Sequence, residues 1–224
     1  MIHNLLWLAL FFSFINWLAV LKNLERLKYI TKPAVMVALI GWVWGISDLK
    51  GYIVWFLAGL VFSLVGDIML ILPRERFIAA WFAFLLAHIS YVIGFNPNLP
   101  PMNFASLALA VLVFIVAFRL TQFTLTGLKL SGNLSLKIPI ILYSIVISLM
   151  LLSSLLTLVR IEWLEGPSLM VSAGAILFFI SDFLLAMQRY VTPIRYSPVI
   201  IMITYHVGQV LIVSGACLQY VLLV

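Results

Sequence analysis

Apolar residues fall in eight long runs along the chain, and short stretches that hold most of the charges separate these runs. The runs cover residues 4–21, 33–49, 52–72, 77–95, 103–120, 138–158, 167–188 and 198–222. A membrane-spanning helix needs about 20 mostly apolar residues, and the second run is the shortest, with Pro33 expected to open its helix. The pattern predicts an all-α integral membrane bundle of eight transmembrane helices, forming a single transmembrane domain over 1–224.

The basic residues alternate in density from one connection to the next. Of the 13 Lys and Arg residues, only Lys50 and Arg160 fall in the even connections, which leaves 11 for the odd ones. Those are Lys22, Arg26, Lys28, Lys32, Arg74, Arg76, Arg119, Lys129, Lys137, Arg189 and Arg195. Basic loops stay in the cytoplasm, so both termini are expected outside. The N-terminus has no basic segment or cleavage site, which predicts a retained first helix.

The amino-acid composition also indicates a membrane protein and argues against a soluble domain, a nucleic-acid-binding protein and a zinc protein. The chain is 65% hydrophobic and 9% charged, whereas a soluble domain carries about 25% charged residues. The net charge of +6 is explained by loops that face anionic headgroups, so no nucleic-acid partner is expected. A single cysteine, Cys217, cannot form an intrachain disulfide or a zinc cluster. We expect a multi-pass protein of the bacterial inner membrane, with membrane lipids as its surroundings.

Two of the seven acidic residues, Asp67 and Asp182, fall inside apolar runs. A carboxylate near the bilayer centre costs about 2.5–3.5 kcal/mol and usually serves a function, although polar residues also join helices. Helix rise places both aspartates roughly 7–8 Å inside the cytoplasmic ends of their helices. We therefore interpret the pair as the functional groups.

The surroundings of the two aspartates match in order. Each has a glycine eight residues before it, a small residue directly before it, a leucine three residues after it, and a histidine 21 or 24 residues after it. In the order Asp67, Asp182, these are Gly59 and Gly174, Gly66 and Ser181, Leu70 and Leu185, and His88 and His206. The matches predict two four-helix halves in the same orientation, roughly 1–98 and 99–224, which form a parallel repeat.

Other polar residues are expected near the aspartates, in a pocket that opens to the cytoplasmic leaflet. Tyr143 lies at a similar depth, His206 is somewhat deeper, and His88 and Gln209 are deeper still, while Lys32 is expected at the cytoplasmic rim. Each histidine has a polar residue three positions later on the same helical face, Tyr91 or Gln209. The spacing of the histidines and aspartates gives no support for a metal site, and no cofactor is expected.

Several short motifs together resemble one family. They are Thr31-Lys32-Pro33, Ser63-Leu64-Val65-Gly66-Asp67, Ala87-His88-Ile89-Ser90-Tyr91, Tyr143 with Met150, Phe179-Ile180-Ser181-Asp182, and Tyr205-His206-Val207-Gly208-Gln209. From Thr31 onward the chain resembles the YhhN family of lysoplasmalogenase-like membrane proteins. The family usually has a tyrosine in place of His206, an alanine in place of Gly208 and a glycine near Ala80-Trp81. His206 therefore ranks below the aspartates.

The resemblance implies hydrolysis of the vinyl ether bond of lysoplasmalogens. The products would be a fatty aldehyde and glycerophosphoethanolamine or glycerophosphocholine. This reaction needs a carboxylic acid that protonates the β-carbon, and it gains from a second carboxylate that stabilises the oxocarbenium ion, as in glycosidases. Asp67 and Asp182 are the expected catalytic pair, with the division of roles left open. Tyr143, His88 and Gln209 would orient water or the aspartates, and Lys32 would hold the lipid phosphate.

Three other interpretations remain open at this stage. A proton-coupled transporter or lipid flippase would use the same aspartates. A lipid-binding or scaffolding protein would tolerate their replacement by leucine. A hydrolase of the same kind would act on another ether or enol lipid, because many organisms make no plasmalogens.

Overall fold

The structure is a computed structural model that describes residues 3–72, 76–192 and 194–222. Over these residues the chain forms eight α-helices, each long and apolar enough to span a membrane. They are α1 (His3–Leu21), α2 (Glu25–Ile46), α3 (Ile53–Ile71), α4 (Phe77–Phe95), α5 (Phe104–Leu130), α6 (Lys137–Leu156), α7 (Glu165–Tyr190) and α8 (Ser197–Cys217). Short 3₁₀ segments flank α6, and a π-helical turn, Leu218–Leu222, follows α8. The eight predicted spans and the all-α class are confirmed.

Two helix boundaries differ from the sequence prediction. The α2 helix begins at Glu25, so Pro33 lies inside the helix and does not open it. A proline inside a helix removes one backbone hydrogen bond, but neighbouring helices make this tolerable in membranes. The α5 helix continues to Leu130, ten residues beyond the predicted end at 120.

The extension of α5 changes the position of one basic residue. Arg119 was expected in a connection, but it lies within α5 with an exposed side chain. The apolar run ends near the charge of Arg119, which is why the helix was expected to end there. A helix can continue past a charged residue when its backbone hydrogen bonds are made and the long arginine side chain extends toward water. At 1.5 Å per residue, α5 is about 40 Å long and exceeds the hydrocarbon thickness of about 30 Å. Arg74, also used for the orientation, lies outside the described residues.

The helices pack mainly as antiparallel neighbours, and the pairs α7–α8, α3–α4 and α1–α2 make the most extensive contacts. Further contacts join α2 to α3, α4 to α6, α6 to α7 and α1 to α8, which closes the bundle. The α7–α8 pair approaches closely at Gly174, where an added Cβ would lie 2.7 Å from the Gly208 carbonyl oxygen. By contrast, α5 packs mainly on α6 and α7, and most of its surface stays exposed.

Aromatic side chains fill the centre of the bundle between α3, α4, α7 and α8. The rings of Phe56, Tyr91 and Phe178 are fully buried, and the Phe178 ring centroid lies 5.3 Å from that of Tyr205 and 4.7 Å from that of His88. These rings form the apolar frame into which the polar residues of the core are set.

The connections between α4 and α5, and between α6 and α7, are held together by Arg160, which is 4% exposed. Its Nη1 donates to the Asn98 carbonyl and to Glu162 Oε1, both at 3.1 Å, and its Nη2 donates to Asn96 Oδ1 at 2.6 Å. The Gln219 amide donates to the Glu162 carbonyl at 2.9 Å. The pKa of Glu162 lies below its ordinary value, mainly because its own backbone N–H donates a hydrogen bond to the carboxylate. Partial burial has a smaller, opposing effect on this pKa, and Arg160 also lowers it. This end of the bundle is thus tied by polar contacts.

Candidate active site

Asp67 lies on α3 with no exposed surface and is contacted by two other helices. The ammonium group of Lys32, on α2, lies 3.0 Å from Asp67 Oδ1. The hydroxyl group of Tyr205, on α8, donates to Oδ2 at 2.9 Å. Lys32 itself is 6% exposed, so both charges of this ion pair are buried. A pair of opposite charges avoids the large cost of burying either charge alone.

Asp182 lies on α7, where two donors converge on the same oxygen. The Tyr143 hydroxyl group, on α6, donates to Asp182 Oδ2. His88 Nε2, on α4, lies 3.0 Å from Oδ2 and 3.1 Å from the Tyr143 hydroxyl oxygen. Because the only hydroxyl hydrogen of Tyr143 points to Asp182, both neighbours of Nε2 are acceptors, which places a proton on Nε2. The second oxygen, Oδ1, takes part in none of these contacts.

Only one of the two aspartates lines the cavity next to this cluster. Asp182 and Tyr143 line a cavity of about 60 Å³, whereas Asp67 is outside its lining. The Trp81 ring stacks on the Tyr143 ring at a centroid distance of 5.4 Å and also lines the cavity. A space of this size holds several water molecules, since one needs about 10–15 Å³. The two carboxyl groups are therefore in different environments: that of Asp67 is enclosed by protein, and that of Asp182 faces a cavity.

The two aspartate clusters are neighbours inside the bundle and are separated by an aromatic ring. Phe178 contacts the Tyr205 ring on one side and the His88 ring on the other. The Phe178 ring therefore lies between a partner of Asp67 and a partner of Asp182.

A separate chain of hydrogen bonds joins the predicted residues Tyr91 and Gln209 to Ser63. The Tyr91 hydroxyl donates to Gln209 Oε1 at 2.6 Å, and Gln209 Nε2 donates to Ser63 Oγ at 2.9 Å. These side chains come from α4, α8 and α3 and are buried. The chain of hydrogen bonds satisfies every polar atom named here and fixes the relative position of three helices that carry site residues.

His206 lies apart from the carboxylates and faces α1. Its Nδ1 accepts a hydrogen bond from Trp17 Nε1 at 3.1 Å, and the two rings stack with centroids 6.4 Å apart. Trp17 has no recognisable signal in the sequence, because nothing in the hydropathy pattern indicates that α1 packs against α8. Trp81 was also missed as a site residue, since its only signal is that it replaces a residue usually small in the resembled family.

The polar residues that surround Asp182 determine which chemistry this site can perform. Among the residues that the structure describes, no three His, Cys, Asp or Glu side chains come close enough to hold a metal ion. The polar groups that converge on Asp182 are a phenol, an imidazole and the carboxyl group itself. Such a set can hold and transfer a proton, and it can orient a water molecule.

Comparison with known proteins supports the resemblance given above. The model of the YhhN family matches residues 27–216. The chain is 30% identical to lysoplasmalogenase TMEM86B of Homo sapiens over 84% of this chain and 74% of the relative. It is 30% identical to lysoplasmalogenase TMEM86B of Mus musculus over 94% of this chain and 86% of the relative. It is 29% identical to the uncharacterized membrane protein YhhN of Escherichia coli O6:H1 over 84% of this chain and 86% of the relative.

No solved structure matches the chain significantly. The family match covers all of the residues that contact Asp67 and Asp182, and the eight apolar helices give the chain the architecture of a multi-pass membrane protein. On the extent of this match, the chain belongs to the YhhN family.

Proposed function

We propose that this protein hydrolyses the vinyl ether bond of lysoplasmalogens in the membrane, with Asp182 as the proton donor. The observation that carries the proposal is the position of Asp182, which is the aspartate that lines a cavity and is held there by Tyr143 and His88. Relatives named lysoplasmalogenase supply the substrate class.

The reaction begins with protonation of the vinyl ether. The neutral carboxyl group of Asp182 gives its proton from Oδ1 to the β-carbon, and the π electrons of the C=C bond form the new C–H bond. The resulting oxocarbenium ion carries its positive charge on the α-carbon and the ether oxygen. Water from the cavity adds to the α-carbon and returns a proton to Asp182. The hemiacetal then collapses to the fatty aldehyde and the glycerol hydroxyl group.

Tyr143 and His88 keep Asp182 in place during this cycle. Both donate to Oδ2, which leaves Oδ1 directed away from these contacts and available for the proton. When the proton has left, the same two hydrogen bonds stabilise the carboxylate, because hydrogen bonds to an ionised acceptor are stronger than those to a neutral one. The site therefore favours proton release at the step where positive charge develops on the substrate.

Asp67 serves as the ionised carboxylate of the pair. Lys32 and Tyr205 both contact it, which stabilises its negative charge. Its charge acts on the oxocarbenium ion across the Phe178 ring. Lys32 is buried and paired with Asp67, so we assign it to this ion pair and no longer to the lipid phosphate. Tyr91 and Gln209 hold α4 against α8 around the two carboxylates.

The contacts also favour the proposed repeat of four helices. Asp67 on α3 is contacted from α2 and α8, while Asp182 on α7 is contacted from α6 and α4. If α1–α4 correspond to α5–α8, each aspartate has partners on the preceding helix and on the last helix of the other half. We propose that the halves are parallel, that both termini face outward, and that the protein lies in a bacterial inner membrane with the site near the cytoplasmic leaflet.

The test compares aldehyde release by purified wild-type protein, Asp182→Asn and the matched control Asp48→Asn. Asp48 lies in an exposed connection with 84% of its side chain accessible. Loss of a general acid lowers the rate by about 10²–10⁴-fold, and we expect this for Asp182→Asn with no change for Asp48→Asn. The assay incubates each protein with 1-alkenyl, 1-alkyl and 1-acyl lysolipids and detects aldehyde and headgroup by mass spectrometry.

Only the alkenyl lipid has a C=C bond to protonate, so it alone should yield aldehyde. Release by Asp182→Asn at a rate near that of the wild type would refute the role of Asp182. Proton flux that depends on substrate, without any product, would instead indicate a proton-coupled transporter that uses the same aspartates.

A further inference from the structure

A groove between α5 and α6 opens to the surrounding lipid. It has a volume of about 510 Å³ and is lined almost wholly by apolar side chains from the two helices. The groove exists because α5 contacts the bundle only in part. At Gly127, α5 approaches the end of α7 so closely that an added Cβ would lie 2.8 Å from the Tyr190 carbonyl oxygen. Further from this contact, the groove lies between the facing side chains of α5 and α6.

The groove is continuous with the cavity that contains Asp182. Four residues line both spaces, namely Ala117 and Thr121 on α5 and Ser144 and Ser148 on α6. Three of these four carry hydroxyl groups, and Gln122 adds an amide group beside Thr121. The lining furthest from the C-terminus of α5, formed by Ala110, Val113, Phe114, Leu149 and Leu152, is apolar. The half of the groove nearer the C-terminus of α5, here called its polar end, therefore holds most of the polar side chains and leads to the carboxyl group.

The length of the groove suits one hydrocarbon chain. Its lining on α5 extends from Ala110 to Leu125, which is about 22 Å at 1.5 Å per residue. One leaflet contributes about 15 Å of the hydrocarbon core. The polar end lies near the C-terminal half of α5 and the start of α6, beside Tyr143. A lipid with its polar part at this end would direct its chain toward the bilayer centre, as it does in the leaflet.

The groove can contribute little free energy to the binding of a hydrocarbon chain. A chain that moves from the lipid phase into an apolar groove gains little from the hydrophobic effect, because both environments are apolar. The groove therefore orients the chain and does not bind it tightly. Selectivity arises at the polar end, where the glycerol backbone meets the hydroxyl groups and Asp182. A lipid with two chains would have to place the second chain among these polar groups.

We propose that the α5–α6 groove is a lateral entrance that holds the hydrocarbon chain of a single-chain glycerolipid and directs its ether linkage to Asp182. The part about the ether linkage rests on the proposed function. The part about the single-chain lipid rests only on the groove, its polar end and its opening to the membrane.

Photolabelling tests the groove without any hydrolysis. The probe is a saturated 1-O-alkyl lysophosphatidylethanolamine with a diazirine in its chain, added to the full-length protein in vesicles of palmitoyl-oleoyl phosphatidylcholine. The probe lacks a vinyl ether and is not cleaved. We expect labelled peptides from α5 and α6, and we expect excess unlabelled 1-O-alkyl lysolipid to suppress this labelling. Equal labelling of all lipid-facing helices, without competition, would overturn the proposal.

A pair of variants on the same helix provides the control. Ala117→Trp fills the junction between groove and cavity, whereas Ala108→Trp adds the same side chain at an exposed position outside the groove lining. Because a tryptophan cannot fit the occupied space without displacing the chain, Ala117→Trp should lower labelling and aldehyde release by about tenfold or more. Ala108→Trp should match the wild type.

The outcomes separate the two proposals. Competed labelling that Ala117→Trp abolishes, without aldehyde release by the wild type, would support the groove and refute the hydrolase. Aldehyde release that Ala117→Trp leaves unchanged would refute the groove and leave the hydrolase intact.

Discussion

The buried ion pair between Lys32 and Asp67 gives the sharpest prediction. Asp67 has no exposed surface, the Lys32 side chain is 8% exposed, and their charged atoms lie 3.0 Å apart. At this distance the attraction is about 5.5 kcal/mol for an effective dielectric constant of about 20. Removing one partner leaves the other charge buried, which costs about 3–5 kcal/mol, while replacing both with apolar residues is near neutral or stabilising.

We therefore expect Lys32→Met and Asp67→Leu each to lower the midpoint of thermal unfolding strongly. For a chain of this size, 3–5 kcal/mol corresponds to about 6–20 °C. The double variant Lys32→Met/Asp67→Leu should unfold close to the wild type, apart from the lost Tyr205 hydrogen bond, worth about 1 kcal/mol. The assay measures unfolding of the purified proteins in a mild detergent, with Lys50→Met as a control because the Lys50–Asp48 pair is exposed.

The same double variant separates stability from catalysis. If Asp67 stabilises the oxocarbenium ion, the double variant should unfold like the wild type and release aldehyde at least about 100-fold more slowly. Additive effects of the two single substitutions on unfolding would refute the ion pair as a coupled unit. A stable double variant with full activity would refute the catalytic role of Asp67.

Two further predictions concern the packing of α7 and the tied connections. Gly174→Ala should destabilise the protein by about 1–3 kcal/mol in the same unfolding assay, because the new Cβ would meet the Gly208 carbonyl at 2.7 Å, whereas Gly166→Ala has open space and should be neutral. Equal midpoints for the two variants would contradict the close α7–α8 approach. The pKa of Glu162 is lowered in the folded protein, so its stabilising effect is present above the ordinary value of 4.5 and is lost as the pH falls through the lower folded value. Glu162→Gln should therefore unfold at a lower temperature than the wild type at neutral pH but not in acid, and a difference that persists in acid would refute the ionised carboxylate of Glu162 as the source of the stabilisation.

Much of the site could be predicted from single residues. Asp67 and Asp182 were recognisable because a carboxyl group within an apolar run is costly and needs partners inside the bundle. His88, Tyr143, Lys32 and Tyr205 do contact these carboxyl groups. Helix rise placed Tyr143 at the level of the aspartates, and Tyr143 contacts Asp182. The same reasoning placed His88 deeper, although it contacts the same carboxyl group.

Other features had no local signal. The predicted position of Lys32 at the rim differs from its buried position, since α2 begins eight residues before Pro33 and places Lys32 two turns inside. The partner of His206 is Trp17, which lies 189 residues away on a helix whose neighbours the sequence does not indicate. The groove depends on how the side chains of α5 and α6 pack against each other, which no periodicity encodes.

The sequence by itself determined the number of spans, their approximate limits and the identity of the two acidic groups, because the bilayer imposes one length and one polarity rule on every helix. Only the tertiary structure decided how the two aspartates differ. Asp67 is contacted by Lys32 of α2 and Tyr205 of α8, while Asp182 faces a cavity lined by side chains of α4, α5, α6 and α7. Such a difference depends on which distant helices meet, and local pattern carries no information about those contacts.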